Sequence, residues 1–169
     1  MGNRAFVIFI TNQGHSPAVY LHRNGGPESV YTALDALADS GQRVGDESYA
    51  CARFVQLMGN YFGGTLSLGL RDAGSPESWP ETLDHGDNGL YVIGWTGGRD
   101  YDVQHFLGGK PLSERALKTE RARALKHEYN QDGSLLKQIR ESNPAFIQNE
   151  ASSFKSDSIC TGDTTSSGK

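Results

Sequence analysis

The stretch Ala5-Phe-Val-Ile-Phe-Ile10, a Gly14-His-Ser-Pro17 turn, and then Ala18-Val-Tyr-Leu-His22 sets the frame of the fold. The first run is β-branched and aromatic throughout, as in a strand buried on both faces, and the second follows too closely for a helical crossover. The two are therefore expected to pair as a hairpin. Two helical patterns come next. Asn24-Gly25-Gly26-Pro27-Glu28-Ser29 reads as a helix entrance, with Pro and Glu in the first turn. Val30, Leu34, Leu37 and Ala38 then share one helical face up to a stop at Gly41. A second helix runs from about Glu47 to Tyr61 or Phe62, with Asp46 as its N-cap. Its stripe is Cys51, Phe54, Val55, Met58, Tyr61 and Phe62, and Gly63-Gly64 ends it.

Strand patterns return over Thr65–Leu70, Gly89–Trp95 and Tyr101–Leu107, the last two joined by a Thr96-Gly-Gly-Arg-Asp100 turn. Residues 71–88 hold Gly, Ser, Pro, Asp and Asn and read as a surface loop. A helix is expected over Pro111–Tyr129 with Ser113 as its cap, and a shorter one around Leu135, Leu136 and Ile139. The order β-β-α-α-β-β-β-α does not alternate as a doubly wound nucleotide-binding fold does. It implies an α+β domain, a mostly antiparallel sheet packed on one face by a helix pair. The expected division is a core over residues 1–108, a helical extension over 109–148, and a disordered tail over 149–169. The tail is rich in Ser, Thr, Asp and Gly, which cannot offset the entropy of ordering.

Charge narrows the partners. Residues 1–109 carry six Lys and Arg against twelve Asp and Glu, whereas residues 110–169 carry ten against eight. An acidic body repels phosphate backbones, so nucleic acid is not its expected ligand. The apolar runs are too short for a signal-peptide core or a membrane span, so a cytoplasmic protein is expected. Cys51 and Cys160 show no metal-knuckle or disulfide spacing.

Chemistry-bearing motifs are sparse. There is no P-loop, no H-E-x-x-H and no paired-histidine spacing, so no metal or cofactor is expected. Cys51 lies on an apolar helical face and Ser67 lacks the glycine of a nucleophile elbow. His22, beside Asn24 at a strand end, is the best candidate base. With the loop carboxylates Asp84, Asp87, Asp100 and Asp102 it makes a small hydrolase the alternative reading. Arg115, Lys118, Arg121, Arg123 and Lys126 make a basic helix face, a third route, to nucleic acid.

The residues favour binding over catalysis. The stretch 71–102 carries Asp72, Glu77, Glu81, Asp84, Asp87, Asp100 and Asp102 against Arg71 and Arg99 alone. Acidic loops around an aromatic steer toward a basic partner. Trp79, between Ser78 and Pro80, is either the anchor of that surface or a lid over the sheet. The partner-binding set is therefore Trp79, Asp84, Asp87, Asp100, Asp102, His22 and Asn24.

Four blocks carry a resemblance: Met1-Gly-Asn-Arg-Ala5, Tyr20-Leu-His-Arg-Asn-Gly-Gly26, Gly59-Asn-Tyr-Phe-Gly-Gly-Thr65, and Asp87-Asn-Gly-Leu-Tyr91. Over residues 1–107 the chain resembles a family of small, mostly uncharacterised proteins carried by prophages, plasmids and other bacterial mobile elements. Arg23 departs from the pattern, which has an aromatic there. The resemblance implies an accessory protein acting on a host protein, of the kind that includes anti-CRISPR and anti-restriction inhibitors, and it implies no catalytic residue.

Overall fold

A computed structural model describes residues 3–40, 43–61, 68–84, 87–97, 100–130 and 134–143. The expected stops at Gly41 and Gly63-Gly64, residues 65–67 of the third strand, the turn at Gly98-Arg99 and the tail lie outside them.

The first run forms β1 (Ala5–Phe9) and the second β2 (Ala18–Leu21), paired antiparallel with Val7 opposite Val19. α1 (Pro27–Asp39) begins on Pro27 after an extended Gly26. α2 (Glu47–Tyr61) is capped as its sequence implies, the Asp46 carboxylate accepting from the Tyr49 N–H at 2.8 Å. β3 (Leu68–Arg71) pairs with β2, and β4 (Leu90–Gly97) with β5 (Asp100–Leu107). With a two-residue β6 (Lys110–Pro111) beside β5, the sheet order is β3-β2-β1-β4-β5-β6, and every neighbouring pair is antiparallel except β1 with β4. The α+β class with a mostly antiparallel sheet is the observed one.

Three features differ from the sequence expectation. The loop at 71–88 contains a 3-10 turn (Pro76–Ser78) running into a one-turn α3 (Trp79–Thr82). Pro111 is not helical: Gly108 and Gly109, both at positive φ, turn the chain back so that Lys110–Pro111 forms β6 against Leu107 and Phe106. α4 then starts at Glu114, where the Ser113 hydroxyl takes the Ala116 N–H. Third, α4 (Glu114–Asn130) and α5 (Ser134–Glu141) are not an appendage. They pack on α1 and α2, and Ala124 and Ile139 are 1% exposed within the main core. The helix pair is thus a layer of four helices sharing one core with the sheet.

That core joins Val7, Phe9, Tyr91 and Ile93 on one sheet face to α1, α2, α4 and α5. The opposite face carries Phe6, Ile8, Ala18, Leu90 and Val92, covered by Ala73, Trp79 and Leu83 of the 72–84 segment. Side chains alternate across the sheet, so residues one apart in β1 and β4 serve separate cores.

Candidate functional site

One end of the sheet gathers three of the blocks that carry the resemblance. The Arg4 guanidinium donates to Asp87 at 2.9 Å, and the Asn88 N–H to the Arg4 carbonyl at 3.0 Å. The Gly25 N–H reaches the Asn3 carbonyl at 2.7 Å. Glycine is required at two of these positions. A Cβ on Gly25 would lie 2.6 Å from the Ala5 Cβ, and one on Gly89, which has φ +59°, would lie 1.9 Å from the Phe106 carbonyl oxygen. These residues tie the start of β1 to the turns before α1 and β4.

His22 and Asn24 sit at the same end. The His22 Nδ1 pairs with the Tyr20 hydroxyl at 3.2 Å, and Asn24 takes a left-handed backbone at φ +56°. Asp87 is held by Arg4, whose hydrogen bonds keep its carboxyl below the usual aspartate range. Asp84 accepts the Gly109 N–H at 2.5 Å and so fixes the β5–β6 turn. Asp100 and Asp102 are elsewhere. They lie opposite Gly97 and Gly94 at the far end of β4, roughly 20–30 Å along the strand from Asn88. The hydrolase set of His22 and loop acids is therefore divided between two ends of the sheet. Among the described residues no group of three or more His, Cys, Asp or Glu is placed to hold a metal ion. His85 lies outside them.

Trp79 is a correction to the expected anchor. It is 5% exposed, its ring meeting His15 edge-on at 5.1 Å and its indole N–H donating to the Gly74 carbonyl at 3.4 Å. Of the two readings of this residue the lid holds. The apolar ring closes the second core, and no partner can reach it without opening that core. Cys51 is buried too, and burial pushes its thiol pKa up, away from a nucleophile's.

A buried polar cluster went unread in the sequence. His105 is 2% exposed and stacks on Tyr91, ring centroids 4.0 Å apart. Its Nε2 meets the Asn88 carbonyl at 2.7 Å and its Nδ1 meets Glu120 of α4 at 2.9 Å. A carbonyl only accepts, so Nε2 supplies the hydrogen of that bond. Both nitrogens are committed, leaving none for a substrate. Burial and the nearby Glu120 charge push the Tyr91 phenol far above its ordinary range, and its hydroxyl has no partner among the described residues. The signals were periodic: His105 falls in phase with core-facing Tyr101 and Val103, and Glu120 one helical turn before Ala124.

The exposed site is the outer edge of β5. β6 pairs with Phe106 and Leu107, the Leu112 N–H carries the contact on to the His105 carbonyl, and α4 begins at Glu114, two residues later. Among the described residues, Asp100–Gln104 therefore has no strand on its outer side. Behind this edge opens a cleft of about 460 Å³, walled by Tyr31, Leu34 and Ala38 of α1 and by Leu117 and Arg121 of α4. Its cations are matched: Arg121 pairs with Asp35 and lies 5.2 Å over the Tyr31 ring, and Lys118 bonds Glu114 at 2.6 Å. Asp100 and Asp102, on the rim, have no ion pair among the described residues. Burial, and next the charge of Glu120, push the Tyr31 phenol up to about 12. The arrangement offers a strand edge, apolar walls and two carboxylates with no ion pair among the described residues, groups suited to recognition.

Among the described residues no helix is long and apolar enough to cross a membrane. No family model, no curated protein and no solved structure matches this chain.

Proposed function

We propose that this chain is a non-enzymatic binding protein that engages a basic protein surface through the outer edge of β5. The observation that carries the reading is the edge at Asp100–Gln104, which among the described residues has no strand on its outer side and no ion pair at Asp100 or Asp102, standing over an apolar-walled cleft. Of the carboxylates expected to bind a partner, these two are exposed and have no ion pair among the described residues. Asp84 and Asp87 are engaged in turns, and Trp79 is core. The acidic body favours a basic partner by long-range attraction, and the resemblance to mobile-element accessory proteins supports a bacterial host protein as that partner. Counter-defence of the anti-CRISPR or anti-restriction type is the role this reading assigns. The basic face of α4 is less suited to nucleic acid than its composition implies, because Lys118 and Arg121 are paired within the chain. Affinity capture from bacterial lysate with wild type and with Asp100→Asn/Asp102→Asn tests it. A protein retained by wild type, released by salt and lost with the double variant is the expected result. Equal retention by both baits would refute this surface, and turnover of any substrate by the purified chain would refute the non-enzymatic reading.

A further inference from the structure

We infer that the partner enters as an added β-strand along β5, with basic and apolar side chains in alternation. The inference rests on the binding role proposed above and specifies its mode. The Leu112 N–H donates to the His105 carbonyl at 2.7 Å, so the main-chain groups of His105 face away from β4. Backbone direction alternates along an antiparallel strand, which places the N–H and carbonyl of Val103 on the same outer side. Those groups are the template for a new ladder.

Side-chain alternation then sets what the added strand must carry. Tyr101 and Val103 face the helix layer, whereas Phe106 faces the lid side, and with it, by the period of two, Asp102 and Asp100. A strand lying beside β5 places every second side chain into the helix-side cleft, against Leu34, Ala38 and Leu117. Its intervening side chains fall beside Asp100 and Asp102. Cross-strand pairs of opposite charge stabilise and like charges repel, so those positions call for Lys or Arg. The same charges disfavour a second copy of this chain, whose β5 edge would bring two more carboxylates to the same face. The occupant is an extended heterologous segment of Lys/Arg–apolar alternation.

The test uses the full chain and a capped, fluorescein-labelled Lys-Val-Lys-Val-Lys-Val-Lys peptide, read by anisotropy. It is run beside a Glu-Val counterpart and a Lys-Val version N-methylated at alternate amides. The Lys-Val peptide is expected to bind and the Glu-Val peptide not to. Alternate N-methylation, which removes ladder donors, is expected to weaken binding about tenfold or more. Val103→Pro removes the outward N–H on the protein side and does the same in a chain whose circular dichroism is unchanged. Asp100→Asn/Asp102→Asn weakens it about tenfold, with no cost to folding. Equal affinity for the methylated and unmethylated peptides, with loss in the Asn variant, would leave an acidic docking surface and overturn strand addition. No binding of any peptide, together with a captured basic protein that the Asn variant still retains, would overturn both. Sedimentation and amide exchange of the peptide-free chain identify other occupants. A dimer broken by Val103→Pro makes the occupant a second copy, and a monomer with the Val103 amide already protected makes it the chain's own segment. Either result overturns the inference.

Discussion

Trp79→Ala separates a structural lid from a binding anchor. The indole is 5% exposed and packs, with Ala73 and Leu83, over Phe6, Ile8, Leu90 and Val92. Truncating a buried tryptophan costs about 3–5 kcal/mol through lost transfer energy and the cavity left behind. The lower end applies here: α3 is a single turn that can settle onto the sheet, and the indole hydrogen bond is long at 3.4 Å. A loss of about 3 kcal/mol is a substantial part of the roughly 5–15 kcal/mol that holds a domain together. It corresponds to a fall in Tm of about 6–12 °C for a chain of this size. Urea unfolding followed by far-ultraviolet circular dichroism measures it, and Trp79→Phe, which keeps a ring, should lose about half as much. Peptide affinity per folded molecule should be unchanged. A stability loss below about 1 kcal/mol, joined to weaker peptide binding, would show that the side chain serves a partner and that the lid is misread.

Glu120→Ala leaves the Nδ1 of buried His105 without its partner and should cost about 2 kcal/mol, the penalty of an unsatisfied buried polar group, with Glu120→Gln costing less in the same urea titration. Asp87 has a folded pKa below its ordinary 3.8, so its contribution is complete above that value and disappears as pH falls through the lowered midpoint. Asp87→Asn should accordingly flatten the acid limb of the stability curve without altering the alkaline limb. Tyr31 has a folded pKa raised to about 12, so its contribution is present below the ordinary 10.0 and declines from there to about 12. Ultraviolet titration of the folded chain should show Tyr31→Phe removing a phenol that ionises near 12, and a chain whose tyrosines all titrate near 10 would contradict its burial.

Periodicity made β1, β2, β4, β5, α1 and α2 legible, because each has one apolar face or two and ends at Gly, Pro or a capping residue. The lid was not legible. Trp79-Pro-Glu-Thr82 is helical because Trp79 and Leu83 are drawn onto the sheet, and the Gly, Ser and Pro around them read as loop. Nor was the depth of α4 and α5: Ala124 and Ile139 reach the core because α4 packs on α1, and α5 on α1 and α2. The parallel pairing of β1 with β4 is a long-range contact with no local signature. The acidity of Asp100 and Asp102 was plain in the sequence. That they flank an open edge was not, since it depends on β6 being two residues long and on α4 starting directly after it.

The central claim, that the β5 edge takes a basic extended segment, is tested most directly by amide chemical-shift mapping of the full chain titrated with the Lys-Val peptide. The account predicts that shifts concentrate at Asp102, Val103 and Gln104 and at the cleft walls, Leu34 and Ala38 of α1 and Leu117 of α4. It predicts that α2 and the 72–84 lid stay unmoved. Shifts centred instead on Arg115 and Arg123 of α4, or on the Arg4–Asp87 end of the sheet, would place binding elsewhere and contradict it.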